Sequence, residues 1–338
     1  MKADKTDSKS RFFKIIDLFP RQKILVLGDL IVDEFLYGNI ARVSREAPVL
    51  VLEYRSFVRL PGGGANAANN LLSLGSKVKI AGAVGNDEAG AGLLQMLEAR
   101  GADVKCVRTI ESYATPLKTR ILAGAHHSAS QQVVRFDRGD SLQGKLLWSN
   151  RSLESLTRSV NAIIISDYGY GSVVPRVVDS LKKTVAHRQI PLVVDSRFSM
   201  SRYSGVTAIT PNITELETAA GIAIGNNSDL LRKVARNAMR SQKLECLLVT
   251  QGRFGMTLFV PHKPPVHIPI FGSDEVTDVT GAGDTVIAAF TLALAGGATP
   301  EEAARLANYA GGLVVMKRGT ATLTSEEMRT AVRQDLSP

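Results

Sequence analysis

Two apolar patterns alternate along the chain. Runs in which nearly every position is apolar or β-branched, at 23–27 (KILVL), 77–83 (KVKIAGA), 162–166 (AIIIS), 191–195 (PLVVD), 208–210 and 246–250 (CLLVT), are separated by stretches of helical period such as 87–100 and 173–187. A strand that is apolar on both faces must be covered on both faces. These runs therefore predict a mainly parallel sheet with helices on either side, a doubly wound α/β architecture. Residues 36–60 and 116–137 break the alternation, mixing β-branched residues with charges and showing no helical period. They read as strands of a smaller sheet, placed as a lid over the strand ends where open α/β sheets bind ligands. From Thr285 onward the pattern is helical, punctuated by GG and RGT turns, with Pro300 and Glu301 opening one helix. With no internal repeat, low-complexity tract or linker, the expectation is one domain over 23–338, preceded by a basic extension over 1–22.

Composition changes this picture little. The 338 residues are 44% hydrophobic and 22% charged, as in ordinary globular proteins. The longest nearly apolar stretch, 286–295, is far short of the roughly 18 residues that cross a bilayer. The N-terminus lacks the long apolar core of a secretory signal, so the expected location is the cytoplasm. Cys106 and Cys246 stand alone without CxxC spacing, which points to neither a disulfide framework nor a zinc site. The net charge of +9 is concentrated at the start, where residues 1–23 carry seven Lys/Arg against three Asp/Glu. No basic run or interleaved aromatic set accompanies it, so small phosphorylated substrates fit better than nucleic acid, and no membrane or nucleic-acid partner is expected.

The strongest chemical signal is 278–285, DVTGAGDT, ahead of the apolar stretch VIAAFTLALA. Gly281 and Gly283 permit a turn that aims the amides of Ala282, Gly283 and Asp284 at an anion, with the helix dipole adding positive charge. A carboxylate inside an anion site needs its own task, and for Asp284 that task is to accept a proton from an attacking hydroxyl. The plainer reading is a turn with an Asp cap. The octapeptide matches neither a Walker loop nor GxGxxG. In 60–74, LPGGGANAANNLLSL, glycines let backbone approach a ligand and Asn66 offers donors and acceptors to hydroxyls, or else the segment is a flexible turn and helix start. Gly28, Asp29 and Asp33 follow the first strand, where a carboxylate can grip vicinal hydroxyls or simply cap a helix. Asn212 and Glu215 in TPNITELE share one face of a helical turn in a way that suits Mg²⁺, directly or through water. TQGRFG at 250–255 either holds nucleotide or turns a hairpin. The adjacent His126 and His127 lack an acidic partner at ligand spacing and read as solvated.

Together, PGGGAN and DVTGAGDT, in this order, resemble the two signatures of the ribokinase-like (PfkB) carbohydrate kinases, over about residues 23–328. Within that family 26–53, 61–75, SDYGYG at 166–171 and TPNITELE are most similar to the heptose 7-phosphate kinases, usually the N-terminal half of bifunctional proteins. The HxGH motif of the other half is absent, as in a stand-alone kinase form. The resemblance implies a ribokinase-like fold and phosphorylation of a sugar phosphate by ATP with Mg²⁺. Asp284 is then the catalytic base, with Gly281, Ala282 and Gly283 as anion hole. Asp29, Asp33, Gly62, Gly63, Asn66, Arg120 and Asp167 are expected at the sugar, and Asn212, Thr250, Gly252, Gly255 and Asn308 at ATP. Glu215 is expected to organise Mg²⁺, while Asp278 and Thr280, with carbonyls near 317–319, hold a monovalent cation such as K⁺. PGGGAN departs from the PGGAAN usual in heptose kinases. A distal phosphate requires cations, for which Arg42, Arg45, Lys118, Arg120 and Arg135 of the lid segments are candidates. Leu50, Leu52, Tyr54 and Phe57 offer an apolar face for a homodimer through the lid. Two other classes fit less well: an oxidoreductase should open with GxGxxG where this chain has GDLIVD, and a sugar-sensing regulator should lack Asp284.

Overall fold

The computed structural model describes residues 2–124, 130–145, 147–198, 200–272, 278–317 and 319–336, with side chains from Asp7 onward. His126 and His127 lie outside the described residues. In chain order the elements are α1 (Lys2–Asp17), β1 (Lys23–Gly28), β2 (Leu30–Val43), β3 (Leu50–Gly63), α2 (Gly64–Ser73), β4 (Lys77–Gly85), α3 (Glu88–Ala99), β5 (Asp103–Ile110), β6 (Leu117–Gly124) and β7 (Gln131–Arg138). There follow α4 (Asn150–Thr157), β8 (Ala162–Asp167), α5 (Pro175–Arg188), β9 (Leu192–Ser196), β10 (Ala208–Ile209), α6 (Ile213–Ala220), α7 (Ser228–Gln242), β11 (Cys246–Thr250), β12 (Met256–Phe259), β13 (Val266–Ile268), α8 (Ala282–Ala295), α9 (Pro300–Val315) and α10 (Ser325–Asp335).

Among the described residues the large sheet runs β13-β12-β11-β10-β9-β8-β1-β4-β5, parallel except where β12 pairs antiparallel with β11 and with the edge strand β13. Alternate residues of one strand feed different cores. Ile24 and Val26 of β1 face a core with α1, α2, α8 and α9, while Leu25 and Leu27 face one with α4, α5 and α7. This two-sided burial is why the strands read as unbroken apolar runs. Helix α8 is buried from Asp284 to Ala293, as an all-apolar helix must be. The chain leaves β1 for β4 on one side of the sheet and later crosses to β8 on the other, so the order reverses between β1 and β8, whose parallel register pairs Val26 with Ile164. Ligand crevices form at such a reversal.

The smaller sheet, β3-β2-β6-β7, supplies the lid. Strand β2 begins at Leu30, earlier than the residue 36 expected, because Leu30–Phe35 is buried against the main body before the strand runs out into solvent. Three strands of the large sheet, β5, β12 and β13, escape the apolar-run pattern. The first has polar positions suited to an edge, and the other two are only four and three residues long. The glycine-rich 250–255 segment does turn a hairpin, pairing Thr250 with Met256. The basic N-terminal segment packs as more than an extension, since Phe12, Ile15, Ile16 and Phe19 are buried in the main core and Arg11 reaches Glu302 at 2.9 Å. Among the described residues no helix is long and apolar enough to cross a membrane. Both cysteines are free, Cys246 buried and Cys106 half-buried.

Candidate active site

A cavity of about 610 Å³ opens at the reversal between β1 and β8, under the lid sheet. It is continuous from Asp33, Lys118, Arg120 and Arg135 at the lid to Asn212, Glu215 and Thr250 at the far end, with Gly281, Gly283 and Asp284 in its wall.

Asp284 sits in the first turn of α8, almost wholly buried. Both its oxygens are held: Asn66 Nδ2 donates to Oδ2 at 2.9 Å and the Tyr168 hydroxyl donates to Oδ1 at 2.8 Å. The orientation of Asn66 follows from its neighbours. Asn70 Nδ2 donates to Asn66 Oδ1 at 3.1 Å, and Thr285 Oγ1 donates to Asn70 Oδ1 at 3.0 Å, so the Asn66 amide group is left to face the carboxylate. Burial pushes the Asp284 carboxyl up to about 6, while the bonds from Asn66 and Tyr168 pull it down. A carboxylate of that basicity is suited to take a proton near neutral pH.

The preceding turn depends on Gly281, whose φ of 77° is left-handed and where a Cβ would lie 2.5 Å from Asn66 Nδ2. The amide of Ala282 is engaged with the carbonyl of Val279 at 3.2 Å, and Ala282 is not among the cavity-lining residues. The free amides of the turn are therefore those of Gly283 and Asp284, a smaller anion hole than the motif alone implies. Space beside Gly283 is open to the cavity, with nothing within 4 Å of where a Cβ would stand.

At the lid end, Asp33 Oδ1 accepts from Arg120 at 2.6 Å. A Cβ on Gly62 would lie 2.6 Å from Asp33 Oδ2, so a larger residue would displace that carboxylate. Gly63 lines the cavity beside it. Two expected sugar contacts lie elsewhere. Asp29, fully buried, accepts from the amides of Tyr168, Tyr170 and Ser172 at 2.8, 3.0 and 2.9 Å. Asp167 accepts from Tyr203 at 2.5 Å, Ser196 at 3.2 Å and the Gly169 amide at 3.1 Å. Asp29 is spent on the loop after β8 and Asp167 on that loop together with Ser196 and Tyr203, and neither residue lines the cavity.

At the far end, Asn212 and Glu215 form a capping box on α6, each side chain bonded to the other's amide at 2.9 Å. Both also line the cavity. The capping and ligand readings thus hold together, since a cap leaves lone pairs of the carboxylate free. Asp195, which no sequence motif singles out, lines the same wall with its carboxyl raised well above the usual range by burial and by Glu215. Two carboxylates sharing one cavity wall fit Mg²⁺, which keeps several waters and needs few protein oxygens. Gly252 and Gly255 shape the hairpin and do not line the cavity, and Asn308 donates to the Pro269 carbonyl at 2.8 Å in a separate hollow. Asp278 accepts from the amides of Thr280 at 2.9 Å and Gly319 at 3.0 Å, which brings together two parts of the expected cation site. Arg318 lies outside the described residues.

Known proteins of similar sequence and fold identify the family. The pfkB family carbohydrate kinase pattern matches residues 21–327. The bifunctional protein HldE of Trichlorobacter lovleyi is 41% identical over 319 residues, 92% of this chain and 62% of that protein, and that of Geobacter metallireducens is 42% identical over 312 residues, 90% of this chain and 61% of that protein. The chain thus spans about 62% of the length of such relatives. Among solved structures, Arabidopsis thaliana ribokinase complexed with ribose and ATP superposes with a TM-score of 0.73 at 21% identity, covering 94% of this chain and 99% of that one. Phosphofructokinase-2 from Escherichia coli in complex with potassium gives 0.71 at 21%, covering 94% and 99%. The fold is ribokinase-like, and the chain belongs to the pfkB family of carbohydrate kinases, enzymes that transfer a phosphoryl group to a sugar hydroxyl.

Proposed function

We propose that the chain transfers the γ-phosphoryl group of ATP to the anomeric hydroxyl of D-glycero-β-D-manno-heptose 7-phosphate, giving the 1,7-bisphosphate. The observation that carries this reading is the cationic wall of the cavity. Lys118, Arg135 and Arg197 line it beside Asp33 and Asp284, with Arg135 in an ion pair with Asp137 and Lys118 over the Tyr168 ring, while Arg42 and Arg45 lie outside it and Arg120 is committed to Asp33. A neutral sugar has no use for this cationic wall, and a phosphate at the far end of the sugar does. The identity to HldE proteins supports the same substrate.

The roles of the chain's residues follow. Asp33, held by Arg120, accepts hydrogen bonds from sugar hydroxyls. Asp284 takes the proton of the attacking hydroxyl as its oxygen bonds to the γ-phosphorus and the bond to the ADP oxygen breaks. The amides of Gly283 and Asp284 face the charge on the transferred group. Glu215 and Asp195 would hold Mg²⁺, which supplies neutralisation of phosphate charge when bound. Asn212 and Thr250 face the nucleotide, and the lid keeps water from competing as acceptor. Asp278, Thr280 and the Gly319 region hold a monovalent cation, expected to show as higher turnover in K⁺ than in tetramethylammonium.

Comparing turnover on heptose 7-phosphate, fructose 6-phosphate, ribose and fructose tests the substrate. The highest specificity constant is expected for heptose 7-phosphate, and a neutral sugar in first place overturns that assignment while leaving the kinase intact. The outer face of the lid exposes Leu50, Tyr54, Phe57 and Phe136, with Leu52 half-buried, which supports a homodimer through this sheet. Light scattering at micromolar concentration should give about twice 36.3 kDa, and a clean monomer rules the lid-mediated dimer out.

A further inference from the structure

The loop after β8 is built at unusual expense. Asp29, fully buried, spends its carboxylate on three amide donors within residues 168–172, and Asp167 is fixed by Tyr203 and Ser196 while it holds Gly169. Burying a carboxylate is costly unless its hydrogen bonds are needed where they are. What these bonds place is one side chain in the cavity wall, Tyr168, whose hydroxyl donates to Asp284 at 2.8 Å. The other face of that side chain meets the lid. Lys118 of β6, nine-tenths buried, sets its Nζ 4.6 Å from the centre of the Tyr168 ring, and among the described residues it has no carboxylate within ion-pair distance.

We propose that Tyr168 is a positioning residue for phosphoryl transfer: its hydroxyl fixes the Asp284 carboxylate for proton acceptance, and Lys118, stacked on its ring, ties that alignment to the lid. Without the hydroxyl, the carboxylate keeps only Asn66 and can rotate out of line with the attacking oxygen. A cation over an aromatic face is favourable when desolvated, so a displaced lid strand gives up that contact and loosens the ring that holds the base. The arrangement assigns Asp29 and Asp167 to the support of this tyrosine. It depends on the kinase activity and on no particular sugar.

The experiment uses Tyr168→Phe and Lys118→Met, singly and together, in the full chain. The acceptor is whichever of heptose 7-phosphate, fructose 6-phosphate, ribose or fructose the wild type phosphorylates, so a wrong substrate assignment does not touch this test. Tyr168→Phe keeps the ring and removes one hydrogen bond that favours the ionised base. The groups facing Asp284 are Asp33 from β2, Lys118 from β6, Tyr168 after β8 and Asp195 of β9, together with the neutral Asn66 from α2. Loss of the tyrosine hydroxyl should therefore move the acid limb of kcat/KM to higher pH, lower kcat by about tenfold or more and leave sugar KM within about twofold. At saturating acceptor, where a part of Lys118 in holding the substrate shows in KM instead, Lys118→Met should lower kcat in the wild-type background and have little effect on kcat in the Tyr168→Phe background. A substrate-free readout, the Asp284 carboxyl titration by carbon NMR in labelled protein, should rise in Tyr168→Phe. Wild-type kcat with an unmoved titration overturns the proposal, and additive effects of the two substitutions overturn the link to the lid. If Tyr168→Phe does not fold, Asp29→Asn, which loosens the same loop, must lower kcat in folded protein, and unchanged kcat there overturns the proposal.

Discussion

The two ends of the cavity are built differently. At the end proposed to take the nucleotide, Asn212 and Glu215 lie three residues apart and hold each other in a capping box, and the adjoining 250–255 turn is closed by bonds between near neighbours. At the end proposed for the acceptor, Asn66, Tyr168 and Asp284 come from α2, the β8 loop and α8, and Arg120 crosses from β6 to Asp33 on β2. The local end needs only a helix start and a hairpin. The assembled end requires two sheets and a buried helix in register, and it buries charge. On the proposed reading, the difference teaches that phosphate handling can rest on locally built turns and helix starts, whereas proton transfer needs side chains fixed from several directions.

The largest effect expected from breaking this contrast is at Asp284. Asp284→Asn keeps the shape and can satisfy both Asn66 and Tyr168, yet cannot take a proton, so turnover should fall about 10²- to 10⁴-fold with nucleotide affinity nearly unchanged. Retention of more than half the wild-type turnover removes Asp284 from the role. Next comes Arg120→Met, which frees Asp33 at the acceptor end. Sugar KM should rise by about tenfold or more while nucleotide affinity, measured by calorimetry, stays put. If both affinities fell together, the two ends would be one cooperative unit.

Gly283→Val tests the wall between the ends. Helix α8 already includes Gly283, and a side chain there projects into open cavity. Catalysis should suffer more than sugar affinity measured without nucleotide, and an equal loss of sugar affinity would mean that the turn serves the sugar. A smaller effect is set by pH. Because the Asp284 carboxyl is raised to about 6, kcat/KM should climb as pH rises through about 6 and then level off. The same shift has a stability consequence of known sign. A buried acid with a raised folded value binds its proton more tightly when folded, so its ionisation weakens the fold increasingly from about pH 4 upward, by an amount on the order of 2–3 kcal/mol above pH 6. Asp284→Asn should therefore melt higher than wild type at pH 8, with the gap shrinking toward pH 5. A constant gap across that range would assign the difference to packing.

Much of the site was legible because its motifs are local. DVTGAGDT announces a tight turn into a helix start through its glycines, and Asn212 with Glu215 announces a cap through spacing alone. Asp29, Asp167 and Asn308 show where this kind of reading stops. Each follows a strand or lies on a helix at a position suited to a ligand, but each turns its polar atoms to the protein, because a buried backbone amide or carbonyl nearby had to be paired. Asp195 and Tyr168 show the converse. One is the penultimate residue of an apolar strand and the other follows a strand in a glycine loop, with no spacing rule to mark either as facing Asp284 or Glu215.

By itself the sequence determined the layered α/β architecture, the second small sheet, the glycine turn before α8 and the family, because apolar periodicity and glycine turns act over a few residues and need no knowledge of distant neighbours. Only the tertiary structure decided which cations line the cavity, which carboxylates are spent on backbone, that α1 closes the core, and that Asp284 is held by an asparagine 218 residues away and a tyrosine 116 residues away. These are contacts between segments that meet only after the chain crosses from one side of β1 to the other, and hydrogen-bond partners at that separation are chosen by packing geometry rather than by spacing along the chain.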